Sequence, residues 1–223
     1  MIDMMTIKLD QTWHPEGYDD ICVRLLVADV SFLMTDEALL SGAMEMLSPQ
    51  RRAKAEACRN LRVRVLSVGA ALALDHLLCE HDLREQDMEY EEGNHGKPAF
   101  VGEYAHWDFN LSHSGHMVAA VLAQSKMADV PIGVDIQRVT NYRPELVRRM
   151  FSAEDRAQLA ACTDETTRQR LFVQLWCRAE AFAKATGEGL RWPFPTPPRE
   201  AVFHDFWVDE HYCGCLCGLL RKK

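Results

Sequence analysis

The sequence predicts an α+β protein built from two similar halves, 1–124 and 125–223. Short runs such as 132–137 alternate apolar and other residues, as half-buried strands do, while 60–80 and 166–186 carry longer helical patterns. A group of residues also recurs 104 positions later, which indicates an internal repeat. The repeated residues are Met46, Ser48, Arg52, Ala53, Ala57 and Cys58, which match Met150, Ser152, Arg156, Ala157, Ala161 and Cys162.

In the N-terminal half, each element has its own signal. Ser48 is a suitable N-cap for a short helix, and the long apolar-rich stretch that follows predicts a second one. An acidic loop separates these helices from two apolar runs. The predicted order is a strand at 21–28, helices at 49–57 and 60–80, a loop to about 98, and strands at 106–111 and 117–123.

The C-terminal half follows a linker predicted at 125–129. Ser152 repeats the N-cap signal of Ser48, and four prolines between 193 and 198 break regular structure between the last helix and the final strands. The predicted order is a strand at 132–137, helices at 143–150, 152–161 and 166–186, and strands at 201–208 and 211–220.

Composition favours a cytoplasmic globular protein. The 223 residues are 48% hydrophobic, and no apolar run approaches the roughly 18 residues of a membrane span. The polar start of the chain does not resemble a signal peptide, so its eight cysteines predict a reducing compartment and free thiols. Cys213, Cys215 and Cys217 could form a soft-metal site, but their alternation favours one buried face of a strand.

Charge is unevenly distributed along the chain. A net charge of -8 argues against a general nucleic-acid binder. Residues 75–92 are strongly acidic, whereas 49–64 are basic, and the basic stretch is either a phosphate-binding surface or a solvated helix face. The basic residues are Arg51, Arg52, Lys54, Arg59, Arg62 and Arg64.

Three segments carry candidate chemistry. In the stretch 176–190, Glu180 and Lys184 lie one helical turn apart, which alone is also typical of a surface ion pair. On the strand 132–137, Asp135 and Gln137 project from the face opposite the apolar residues. In the segment 109–115, His113 stands between two serines, where a surface histidine is the simpler interpretation.

Together these segments resemble the Sfp-type 4'-phosphopantetheinyl transferases. The family pattern runs Gly-Lys-Pro, Asn-hydrophobic-Ser-His-Ser, Gly-hydrophobic-Asp, and a Trp-x-x-Lys-Glu-Ala-x-x-Lys-x-x-Gly-x-Gly-Leu helix. This chain supplies the four motifs in that order at 96–98, 110–114, 133–135 and 176–190. The resemblance implies a pseudo-twofold dimer of the two halves, a monomeric protein, and an active site between the halves.

The resemblance also implies an activity and a set of roles. The enzyme would move 4'-phosphopantetheine from coenzyme A to a serine of an apo acyl or peptidyl carrier protein and release adenosine 3',5'-bisphosphate. The N-terminal half would bind the 3'-phosphate and the C-terminal half would hold Mg²⁺ and the catalytic groups. The catalytic residues would be Glu180 as base, Lys184 and His113. The coenzyme A contacts would be Arg52, Arg62, Lys97, Pro98, Ser112, His113 and Lys184. The magnesium ligands would be Asp135, Gln137 and Glu180.

Two residues depart from the family pattern. Ala179 stands where a lysine is common, and Arg178 could offset that loss only in part because adjacent helix residues point about 100° apart. Gln137 replaces an acidic residue, which leaves an oxygen ligand without negative charge. The alternatives to an enzyme are a catalytically weak coenzyme A-binding protein, or a scaffold in which all four motifs are accidental.

Overall fold

The α+β class is confirmed by a computed structural model that describes residues 5–16, 18, 21–93, 96–125 and 130–220. A four-stranded antiparallel sheet has the order β1-β2-β6-β5, and its strands are β1 (Thr6–Trp13), β2 (Ile21–Asp29), β5 (Asp108–Ser114) and β6 (Met117–Ser125). The helices before β5 are α1 (Glu37–Glu45), α2 (Pro49–Ala57) and α3 (Leu61–Cys79).

Both faces of this sheet are covered. Leu26 and Ala28 belong to a core shared with α3, whereas Leu25 and Val27 pack into a second core on the other face. Burial on both faces explains why β6 is almost continuously apolar rather than alternating.

The second sheet has the order β7-β9-β8 and forms one wall of that second core. Its strands are β7 (Ile132–Arg138), β8 (Ala201–Trp207) and β9 (Tyr212–Leu219). The helices of this part are α4 (Pro144–Met150), α5 (Ala153–Ala161) and α6 (Glu165–Thr186). Ile132, Val134 and Ile136 face the first sheet, while α6 covers the opposite face.

The three cysteines of β9 lie on the face that α6 covers, as the alternation predicts. Cys213, Cys215 and Cys217 are fully buried free thiols, and burial raises the pKa of Cys217 to about 12. They therefore act as small apolar side chains. Among the described residues, the one group of three potential metal ligands whose ligand atoms lie within 4.8 Å of one another is Asp10, His76 and Glu80. The cysteines of β9 do not form such a group with other described residues.

Gly133 allows α6 to lie directly on β7. A Cβ at this position would approach the carbonyl oxygen of Ala181 to 2.1 Å and the nitrogen of Ala185 to 2.5 Å. The helix can cross so closely only where the strand carries no side chain. This crossing brings the Glu180–Lys184 turn of α6 next to Asp135.

Side chains of β5 join the two sheets. β7 is an edge strand, and its outward N–H groups are bonded to polar side chains at every second position of β5 rather than to a backbone. The four bonds run from Ile132 N to Asp108 Oδ2 (2.7 Å), Val134 N to Asn110 Oδ1 (3.1 Å), Ile136 N to Ser112 Oγ (3.2 Å) and Arg138 N to Ser114 Oγ (3.0 Å). We call these four bonds the side-chain ladder.

The repeated segments form matching helices. Ser48 precedes α2 and Ser152 precedes α5, and each nine-residue helix ends at a cysteine. Ser152 forms a capping box, whereas the hydroxyl of Ser48 bonds to Glu85 instead. The pseudo-twofold relation and the boundary at 124/125 stay predictions. Residues 126–129 of the predicted linker lie outside the described residues.

Several elements were not predicted. β1 is largely exposed and lacks the alternation of a half-buried strand, and α1 starts at the N-cap Asp36. The acidic loop contains two short paired strands, β3 (Tyr90–Glu92) and β4 (Pro98–Phe100), and buries Glu85 completely. Among the described helices, none is both long and apolar enough to cross a membrane.

Candidate active site

Lys184 and Asp135 form the centre of the site. Lys184 Nζ lies 2.7 Å from Asp135 Oδ1, 2.9 Å from Ser112 Oγ and 3.0 Å from the carbonyl oxygen of Val134. Ser112 in turn donates to Asp135 Oδ1 at 2.9 Å. The predicted residues of β5, β7 and α6 therefore meet in one hydrogen-bonded cluster.

Gln137 meets the same carboxylate through its amide nitrogen. Its Nε2 donates to Asp135 Oδ2 at 3.1 Å, while its Oε1 accepts from the hydroxyl of Ser114 at 3.3 Å. Ser114 also accepts from the backbone N–H of Arg138, so the ladder fixes the amide. The oxygen predicted as a metal ligand is directed toward Ser114 here.

Glu180 lies between two cavities. One, of about 230 Å³, is lined by Lys97, Pro98 and Lys184 among others, and the other, of about 290 Å³, by Gln137 and the aromatic side chains of α6. Glu180 lines both. Burial and the nearby charge of Asp135 raise its pKa, although Lys184 acts in the opposite direction. This carboxylate is therefore a stronger base than an exposed glutamate.

His113 lies on β5 between the two ladder serines and is more exposed than they are. Partial burial of the ring and the positive charge of Lys184 lower its pKa from the usual 6.5, against a smaller opposing effect of Asp135. The imidazole is therefore predominantly neutral at neutral pH, and it can still donate one N–H.

Lys97 reaches the first cavity from the other side. Its ammonium bonds to Asp108 Oδ2 at 2.6 Å and to the carbonyl oxygen of Ile132 at 3.0 Å. An ammonium has three N–H donors, so its bonds to the described residues account for two of them. Burial raises the pKa of Asp108 despite the opposing effect of Lys97.

The two predicted arginines are not part of the walls of these cavities. Arg52 is exposed and pairs with Glu56 at 3.1 Å, and Arg62 donates to the carbonyl oxygen of Gly115 at 3.1 Å. Arg62 thus stabilises the turn between β5 and β6 by this hydrogen bond. The roles of both arginines in phosphate binding stay predictions.

Residue 179 faces away from the site. Ala179 and Arg178 line a third cavity, of about 450 Å³, whereas Glu180 lines the first two. Arg178 is also paired with Asp205, and its Nε lies 2.9 Å from Asp205 Oδ1. Arg178 is therefore not free to act beside Glu180, and the change to alanine leaves the lining of the two central cavities intact.

Comparison with known proteins gives one family. Residues 131–216 match the model of the 4'-phosphopantetheinyl transferase superfamily. A putative 4'-phosphopantetheinyl transferase of Synechocystis sp. is 30% identical over 159 residues, covering 70% of this chain and 63% of the relative. The 4'-phosphopantetheinyl transferase psf-1 of Bacillus pumilus is 31% identical, and the alignment covers 66% of this chain and 62% of the relative. The 4'-phosphopantetheinyl transferase Sfp of Bacillus subtilis is 29% identical, and the alignment covers 67% of this chain and 64% of the relative.

Residues 131–216 therefore carry the domain of the 4'-phosphopantetheinyl transferase superfamily, and the predicted resemblance of the chain to the Sfp-type members is confirmed. The aligned part of the chain spans 62 to 64% of the length of these three relatives, which is less than two thirds.

Proposed function

We propose that this protein transfers 4'-phosphopantetheine from coenzyme A to a serine hydroxyl of an apo acyl or peptidyl carrier protein and releases adenosine 3',5'-bisphosphate. The observation that carries the proposal is the position of Glu180, a carboxylate of raised pKa between a lysine-lined cavity and an aromatic-lined one. The matched domain and the named relatives supply the reaction class.

The two cavities suit different parts of the donor. Lys184 gives the first cavity a positive charge next to Glu180, which matches a pyrophosphate, while Lys97 in the same cavity would meet the 3'-phosphate. In the second cavity, which Arg138 and Arg143 also line, Phe172 and Trp176 form an apolar wall that matches the pantetheine chain. The phosphorus that undergoes substitution would then lie beside Glu180, where the two cavities meet.

In this arrangement the serine oxygen of the carrier attacks the β-phosphorus as the bond to the leaving phosphate oxygen breaks. Glu180 accepts the serine proton, and its raised pKa brings it nearer the neutral range in which a general base works best. Lys184 and a neutral His113 donate hydrogen bonds to the phosphate oxygens as charge grows on the leaving group.

The residues also fit Mg²⁺. Asp135 and Glu180 are carboxylates close enough for the charge of one to raise the pKa of the other, and a divalent cation would offset that repulsion. Asp135, Glu180 and Gln137 would hold the ion by hard oxygen ligands. Gln137 would do so after a rotation of its side-chain amide that exchanges the positions of Oε1 and Nε2. When bound, Mg²⁺ would supply positive charge to the pyrophosphate. We further propose a monomeric cytoplasmic enzyme.

Incubation of the protein with coenzyme A, Mg²⁺ and a panel of apo carrier proteins tests the proposal. Intact mass should show the addition of one phosphopantetheine group to at least one carrier. Glu180→Gln should abolish the addition, whereas the exposed control Glu188→Gln should keep it. Coenzyme A binding without any mass change on the whole panel would favour the alternative of a catalytically weak binding protein.

A further inference from the structure

The ammonium group of Lys184 has no N–H left for a ligand. A lysine ammonium carries three donors, and three acceptors surround this one at 2.7 to 3.0 Å: Asp135 Oδ1, Ser112 Oγ and the carbonyl oxygen of Val134. Lys97, in the same cavity, has two such partners among the residues that the structure describes. The two lysines therefore differ in their readiness to meet an anion.

The carboxylate of Asp135 is buried, and its Oδ1 already has two donors. It is 2% exposed, its Oδ1 accepts from Lys184 and Ser112, and its Oδ2 accepts from the amide of Gln137. A cation that coordinates Oδ1 must displace Lys184 or Ser112, and one that coordinates Oδ2 lies beside the donor Gln137. Lys184 is the group whose charge most opposes a cation at either oxygen, because two positive charges would then share one carboxylate.

We propose that Lys184 is the resident counter-ion of Asp135 in the free protein, and that it leaves Asp135 only when an anionic diphosphate arrives to bind its ammonium. A divalent cation then enters together with the diphosphate rather than before it. This inference rests on the proposed function, because coenzyme A is the diphosphate concerned.

The order follows from the cost of a buried charge. If a cation displaced Lys184 with no anion present, the ammonium would lose a charged hydrogen bond in a partly buried position. A diphosphate removes that cost by replacing the partner that Lys184 gives up. Gln137 strengthens the effect, because an amide donor on Oδ2 leaves that oxygen less available than a neighbouring carboxylate would.

The test measures Mn²⁺ binding to the full chain by electron paramagnetic resonance, without coenzyme A. Lys184→Met should bind free Mn²⁺ at least about tenfold more tightly than the parent, since it removes the competing charge from Asp135. Lys97→Met removes an equal charge from the same cavity, but Lys97 contacts Asp108 rather than Asp135. This control variant should change the affinity for Mn²⁺ less than about threefold.

Equal gains in both variants would overturn the inference, because they would reflect the general charge of the cavity. No gain for Lys184→Met would also overturn it. If Lys184→Met does not fold, Lys184→Gln, which keeps a donor without the charge, takes its place. On the unsubstituted protein, the Nζ resonance of Lys184 should shift when Mg²⁺ and coenzyme A are added together, and a full shift with Mg²⁺ alone would contradict the proposed order.

Repeating the Mn²⁺ titration in the presence of coenzyme A separates this inference from the proposed function. Parent protein that binds Mn²⁺ with coenzyme A, beside a Lys184→Met variant without gain, would overturn the counter-ion role and leave the transferase standing. Absence of Mn²⁺ binding in every protein, with or without coenzyme A, would overturn both.

Discussion

Arg64 and Arg168, which are 104 positions apart, make the same contact in the two copies of the repeated segment. Arg64 Nη2 donates to the carbonyl oxygen of Cys58 at 2.7 Å, and Arg168 Nη2 to that of Cys162 at 2.8 Å. Each cysteine caps the C-terminus of a nine-residue helix, where carbonyl groups lack helical partners. The repeat thus extends from sequence to individual hydrogen bonds.

Arg64→Met and Arg168→Met should each lower the free energy of unfolding by about 1–2 kcal/mol, since each leaves a capping carbonyl without its charged donor. Urea denaturation measures the change, and the exposed neighbour Arg59→Met serves as the control. If the free energy of unfolding fell in one variant and not in the other, the two contacts would not be equivalent.

Gly133→Ala should destabilise the protein by about 1–3 kcal/mol and reduce transfer, because its Cβ would overlap the backbone of α6 and push Glu180 and Lys184 away from Asp135. Gly218→Ala in the same sheet is the control, since its Cβ would meet no side chain closer than 3.4 Å. Thermal denaturation and the mass assay report the two effects. A fully active Gly133→Ala protein would contradict the close crossing.

Glu180 should make stability depend on pH in the free protein. Because burial raises its folded pKa above 4.5, the folded state holds its proton longer than the unfolded state, and stability falls as pH rises through that window. Glu180→Gln has no such loss, so it should be more stable than the parent at neutral pH and equal to it well below pH 4.5. Denaturation curves across this range would refute the prediction if the difference did not vary with pH.

Arg52→Ala and Lys97→Ala should raise the KM for coenzyme A by about tenfold or more if both residues bind the 3'-phosphate, the size expected for one charged hydrogen bond. The KM for 3'-dephospho-coenzyme A should change little. Steady-state kinetics with both donors gives the comparison. Equal effects on the two donors would place neither side chain at the 3'-phosphate.

Gln137→Glu should tighten the binding of free Mg²⁺ while changing transfer at saturating Mg²⁺ by less than about tenfold. It replaces the amide donor on Asp135 with a second carboxylate, whose repulsion a cation would relieve. Calorimetric titration of Mg²⁺ into both proteins, with and without coenzyme A, measures the effect. Unchanged affinity would mean that residue 137 does not face the metal.

The sequence predicted most of the fold because periodicity and capping are local signals. The strands at β2, β6 and β7 and all helices but α1 lie within a few residues of their predicted positions. β1 could not be predicted in the same way, since an exposed edge strand has no buried face to mark it. Glu85 lies in the acidic run 75–92, and its complete burial could not be predicted, because tertiary partners are not visible in a charge pattern.

The site was predicted from motif order, which could not reveal how its hydrogen bonds are shared. Ser112 was predicted to contact coenzyme A, yet its hydroxyl already serves Asp135, Lys184 and the backbone of Ile136. Asp108 was not selected, and Asn110 and Ser114 were named as part of the 110–114 motif without a role of their own. Their signal was a short polar residue at every second position of β5, which is typical of a shared role on one face of a strand.

The side-chain ladder has a consequence for how this site can evolve. Each of its bonds ends on a backbone N–H of β7, so the seam depends on the path of that strand and not on which side chains it carries. Positions such as 135 and 137 can therefore diversify without separating the two sheets, whereas 110 and 112 are constrained by the seam itself. The side chain of Gln137 contacts Ser114 and Asp135 but supplies none of the four seam bonds, so this position can change its chemistry while the two sheets stay joined.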